Sequence, residues 1–91
     1  MTSEQYAQTF HALGDKTRFR LFQILGEKKE ICVGQLAEEL GITSACVSQH
    51  MMILTEAGLV RRIREGQRVC YEVSTDSQMK QLLSHLIFES K

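Results

Sequence analysis

The sequence predicts a mainly α domain carrying a small β-hairpin, an α+β architecture, on three observations. Apolar residues recur at helical spacing through the first 57 positions, interrupted by glycines at 14, 26 and 41. Two β-rich runs, Leu59–Ile63 and Val69–Val73, then flank the glycine-bearing loop Arg64-Glu65-Gly66-Gln67-Arg68. Beyond the hairpin the chain returns to helical spacing with a continuous apolar stripe.

Residues 3–13 place Tyr6, Phe10 and Leu13 on one face of a short helix. Asp15 follows Gly14 as an N-cap, because its carboxylate can accept from the free N–H groups that open the next helix, KTRFRLFQIL. Phe19, Phe22, Ile24 and Leu25 are expected to be its buried side, and Gly26 its left-handed stop. Ile31-Cys32-Val33 is a β-like run too short to stand alone, expected at the edge of a small sheet. Gly34 opens a third helix, QLAEEL, with Leu36, Ala37 and Leu40 inward; Gly41 ends it and Ile42 packs the turn. Thr43 or Ser44 caps a fourth helix running to about Ala57, with Gly58 as its stop. Val47, Met51, Leu54 and Ala57 point inward there, leaving Ser44, Ala45, Ser48, Gln49 and Met52 on the open side.

Two helices joined by a tight turn over about 34–57, followed by a basic hairpin over about 59–73, make a winged helix-turn-helix. The last segment, about 76–89, begins with the candidate caps Ser74, Thr75 and Asp76. It repeats Met79, Leu82, Leu83, Leu86 and Ile87 at i, i+3, i+4, i+7 and i+8. A domain this small cannot cover such a stripe by itself, and a symmetric partner helix is its natural cover.

Ninety-one residues make one domain. With 43% hydrophobic and 24% charged residues and no proline, the composition is that of an ordinary globular chain without linkers or low-complexity tails. No apolar run approaches the roughly 20 residues of a membrane helix, and the start MTSEQYAQ lacks a signal peptide's basic and apolar regions. A cytoplasmic protein with no membrane partner is the expectation. Three cysteines, an odd count, point to reduced or reactive thiols rather than a disulfide framework. Net charge is zero, yet residues 61–68 hold four arginines against one glutamate. One basic tip on a balanced body suits a small, directed contact with nucleic acid.

The candidate DNA-reading residues are Ser44, Ser48, Gln49 and His50. A glutamine can bond adenine through two hydrogen bonds, and small Ser44, Ala45 and Ser48 let a helix lie close to phosphates or bases. Arg64 and Arg68 flank the wing tip with Gln67 between them and are candidates for phosphate or minor-groove contact. Arg61 and Arg62 start the hairpin, where ordinary salt bridging serves equally well. If Val69, Tyr71 and Val73 face the core, alternation puts Cys70 on the other face. Cys32, from the edge strand, shares that face, near enough for a disulfide or for two ligands of one soft metal ion. A thiol near a helix N-terminus is also more reactive; two small side chains that merely pack are the alternative.

In order and spacing, ALGDKTRFRLFQIL, VGQLAEELGITSACVSQHMMILTEAGLV and REGQRVCYEV together resemble the ArsR/SmtB family of repressors, over nearly the whole chain. The resemblance implies a homodimer whose first and last helices pair, so that Tyr6 and Phe10 join Met79, Leu82, Leu83, Leu86 and Ile87 in the interface. It also implies double-stranded operator DNA as partner and an inducer that releases it. The arsenic-responsive branch carries two cysteines two apart at the third helix; Cys32 matches the first, but Gly34 stands at the second. The zinc-responsive branch places Asp, His, His and Glu on the last helix; Asp76 matches, but Gln78 stands where a His belongs and His85 does not complete the set. A winged helix used only for protein contacts is the alternative function. No cysteine lies in a CxxC or beside a base at fixed spacing, so catalysis is not expected.

Overall fold

The computed structural model describes residues 2–74. The elements run α1 (Ser3–Leu13), α2 (Lys16–Lys28), β1 (Glu30–Cys32), α3 (Val33–Leu40), α4 (Ser44–Glu56), β2 (Val60–Glu65) and β3 (Arg68–Val73). The strands form one antiparallel sheet in the order β1-β3-β2, so β1 is an edge strand, as its length requires. The core joins one face of each helix to one face of the sheet: Ala12, Leu21, Phe22, Leu25, Leu36, Val47, Met51, Leu54, Leu59 and Tyr71 are buried together. The apolar residues expected on the final helix, Met79, Leu82, Leu83, Leu86 and Ile87, lie outside the described residues.

Local signals explain most boundaries. Thr2 caps α1, with Gln5 bonding back to it in a capping box. Asp15 caps α2 by accepting from the Arg18 N–H at 2.9 Å. Thr43 Oγ1 caps α4 by accepting from the Cys46 N–H at 3.1 Å. α3 ends in a Schellman motif, with Gly41 N–H donating to Glu38 O and Ile42 N–H to Ala37 O. Gly41 at φ 66° supplies the left-handed step that this closure needs. Gly58 and Leu59 close α4 in the same way on Thr55 O and Leu54 O.

Four expectations are corrected. Gly26 does not stop α2; the helix runs through it to Lys28, and Lys29 takes the turn at φ 68°, ψ −67°. The apolar stripe ends near Gly26, but Glu27 and Lys28 are good helix formers and the Lys29 N–H closes a further turn on Leu25 O. Phe19 is half-buried, and Leu21 fills the core place expected for it. The wing strands are longer than their apolar runs and the loop shorter. Glu65 pairs Arg68 across Gly66-Gln67, a two-residue turn with Gly66 at φ 62° in first position. Last, α3 begins at Val33, one residue before Gly34, with Cys32 at its N-cap.

Candidate nucleic-acid interface and cysteine pair

The outer face of α4 is as its periodicity requires. Ser44, Ala45, Ser48, Gln49 and Met52 are exposed while Val47, Met51 and Leu54 are fully buried. Met52, at 59% exposure, is an apolar side chain held out beside small polar ones, a surface suited to the methyl group of a thymine. Across from it the wing carries exposed Arg62, Arg64, Gln67 and Arg68. A groove of about 820 Å³ lies between them, with Ser48 and Met52 of α4 on one side and Arg62, Gln67 and Arg68 on the other. Helix face and wing therefore open on one shared space. Arg61 is committed elsewhere: its guanidinium is ion-paired with Glu72 on the neighbouring strand.

His50 stands apart from the other α4 candidates. It is half-buried, with Nδ1 3.4 Å from Arg18 Nη1 of α2. A guanidinium only donates, so His50 Nδ1 is the acceptor in this contact. Arg18 also donates through Nε to Ala12 O and through Nη2 to His11 O, satisfying carbonyls at the end of α1. One buried cation thus ties the end of α1 to the middle of α4. The Arg18 N–H also holds the Asp15 carboxyl below the usual carboxylate range, helped by the Arg18 charge. Sequence reasoning that places charges outside misses Arg18. The signal is its spacing, three and four residues before Leu21 and Phe22 on the buried stripe.

Cys32 and Cys70 face each other in the β1–β3 ladder, Cα atoms 3.7 Å apart, and are joined by a disulfide. Ile31 and Tyr71, one step along, are buried on the core side, so the expected alternation holds. The second face is nonetheless closed at Cys70, which is 0% exposed, while Cys32 is half-buried. The Arg68 Nη2 lies 3.3 Å from Cys32 Sγ. Bonded to each other, the two sulfurs offer no thiolate to a metal. Among the described residues no three His, Cys, Asp or Glu side chains converge, so a three- or four-ligand soft-metal site does not fit them. Cys46 is a free, half-buried thiol in α4. On α1, Tyr6 and Phe10 are exposed at 41% and 57%, unusual for aromatic side chains without a partner surface.

Residues 13–63 match the family of the helix-turn-helix domain. An uncharacterised HTH-type transcriptional regulator of Methanocaldococcus jannaschii is 32% identical over 80 residues, spanning 88% of this chain and 89% of its own. A transcriptional repressor SmtB homolog from Synechocystis is 32% identical over 87 residues; the match takes in 92% of this chain but 65% of that longer one. Among solved structures, a homodimeric winged helix-turn-helix DNA-binding domain from Mycobacterium bovis, a possible ArsR-family regulator, superposes with a TM-score of 0.83. It is 24% identical, and the match covers 96% of this chain and 79% of that one.

Proposed function

The chain belongs to the ArsR/SmtB family of winged helix-turn-helix transcriptional regulators, and from that premise we propose that it is a homodimeric, cytoplasmic repressor that binds double-stranded operator DNA rather than an enzyme. The observation that carries this reading is the shared groove. Ser48 and Met52, from the exposed face of α4 that also carries Ser44, Ala45 and Gln49, and Arg62, Gln67 and Arg68 of the wing line that one groove. That arrangement serves a helix in the major groove and a wing on the flanking phosphates or minor groove. Ser48 and Gln49 read bases in this account, Arg64 and Arg68 hold the backbone, and Gln67 sits at the wing tip between them. His50, turned toward Arg18, acts on DNA only by fixing the pitch of α4.

Tyr6 and Phe10 on α1 supply part of the dimer seam, together with Met79, Leu82, Leu83, Leu86 and Ile87. Dimerisation sets two α4 helices about one turn of DNA apart, roughly 34 Å, and demands a dyad-symmetric site. The Cys32–Cys70 pair is the natural place for an inducer to act, because it joins α3 to the wing strand. A thiol oxidant fits the residues present as the agent that sets the state of the pair, with reduction as the releasing signal, and a soft metal held by two reduced thiolates is the competing input.

The test is binding to the DNA upstream of the chain's own gene, followed by fluorescence anisotropy across a salt series. Arg64→Ala with Arg68→Ala is expected to weaken binding and to make the log–log salt slope shallower by about 0.9 for each phosphate that the wing no longer neutralises. Unchanged affinity and slope in the double variant would leave the wing out of the interface and favour a protein-interaction module.

A further inference from the structure

The two bonded cysteines have unequal surroundings. Cys70 is enclosed completely, whereas Cys32 is half-exposed at the N-cap of α3 and lines the groove of about 820 Å³. Gly34, two residues on, keeps that approach open, since a Cβ there would meet nothing within 4 Å. Beside Cys32 Sγ, at 3.3 Å, sits the guanidinium of Arg68 from the wing. In the reduced protein that charge and the first N–H groups of α3 favour the thiolate at Cys32. Among the described residues no charged side chain donates to Cys70. A permanent positive charge against the sulfur also opposes a metal cation and welcomes an anionic, sulfur-bearing reactant.

We propose that Cys32 and Cys70 form a thiol–disulfide exchange site for low-molecular-weight disulfides, with Cys32 as attacking sulfur, Cys70 as resolving sulfur and Arg68 shared between Cys32 and DNA. The Cys32 thiolate attacks one sulfur of the small disulfide. A Cys32–S–S–R bond forms, the incoming S–S bond breaks, and one RS⁻ departs. Cys70, opposite in the ladder, then attacks Cys32 Sγ. The Cys32–Cys70 bond forms, and the second RS leaves as a thiol carrying the Cys70 proton. Two protein thiols are oxidised and one small disulfide is reduced to two thiols. In a reducing cytosol such a bond is a reversible signal rather than a permanent staple.

The output follows from charge, and this half rests on the DNA-binding reading above. In the reduced state the Cys32 thiolate neutralises Arg68, and the wing loses a cation it would offer to phosphate. In the bonded state Cys32 is neutral, and Arg68, though still beside its sulfur, keeps its full charge for DNA. The oxidised protein is therefore the tighter DNA binder, and reduction releases the operator.

The experiment uses the full chain, reduced and then exposed to glutathione disulfide, with intact mass and peptide mapping at intervals. Wild type is expected to lose two hydrogens with no lasting adduct. Cys70→Ala stops at one glutathione on Cys32, and Cys32→Ser takes none on Cys70. Adding Arg68→Gln to Cys70→Ala slows adduct formation about fivefold at pH 7 and moves the rate–pH profile upward. An adduct reaching Cys70 or Cys46 ahead of Cys32, or a rate–pH profile unmoved by Arg68→Gln, would overturn the assignment. In the DNA arm, wild type is expected to show a salt slope shallower by about 0.9 per protomer when reduced, and Arg68→Gln to bind alike in both states. Exchange at Cys32 in a chain that binds no DNA in either state would uphold the thiol site and overturn the regulator reading. Tighter binding by the reduced form would overturn the charge coupling through Arg68.

Discussion

Arg18 ties α2 to both α1 and α4. Its guanidinium is buried among acceptors from two other helices, His11 O and Ala12 O of α1 and His50 Nδ1 of α4. Buried carbonyls that lose a charged donor cost about 1–3 kcal/mol, so Arg18→Ala is expected to lower stability by about 2 kcal/mol in urea unfolding. Arg18→Lys should recover little, because one ammonium cannot span three acceptors held in a fork. A variant as stable as wild type would show that these bonds are idle. This residue is also the least legible in the sequence, where a charge reads as solvent-facing unless the stripe on which it lies is followed through. His50 is hard to read for a related reason. A polar residue on a helix looks free until its neighbour on another helix is known.

At the scale of elements, legibility follows how local each signal is. Both helices of the helix-turn-helix carry their own caps and stops, Thr43, Gly41 and Gly58, and their expected limits are close to those observed. The Cys32–Cys70 pairing is within reach because strand alternation is a short-range rule. Its enclosure is not, since burial depends on what covers the second face of the sheet. The wing strands read short because Arg64, Glu65 and Arg68 carry no apolar alternation, although backbone pairing continues through them. At the end of α2 a glycine offers itself as the stop, yet a lysine performs it. Lys29 at φ 68°, ψ −67° holds a strained γ-turn geometry that glycine adopts freely. Lys29→Gly is therefore expected to raise the thermal midpoint, with a gain of about 1 kcal/mol. A lower midpoint would mean that the lysine side chain contributes more than its backbone costs.

For the whole molecule the proposal comes to this: a helix face and a basic wing, set on one groove, are expected to read a dyad site as a pair of chains. On the proposed reading the exposed Tyr6 and Phe10 on α1 would give the pairing a surface, and the groove beside Arg68 and Cys32 would give it a point of control. With a neutral net charge, affinity is expected to rest on the few wing arginines rather than on general attraction to polyanions. The most direct measurement is titration of the oxidised chain into a duplex from the region upstream of its gene, with stoichiometry and a shuffled duplex as control. Two chains per site are expected, with steep salt dependence and affinity at least about a thousandfold above that for the shuffled sequence. Equal binding to both duplexes, or none to either, would contradict the claim.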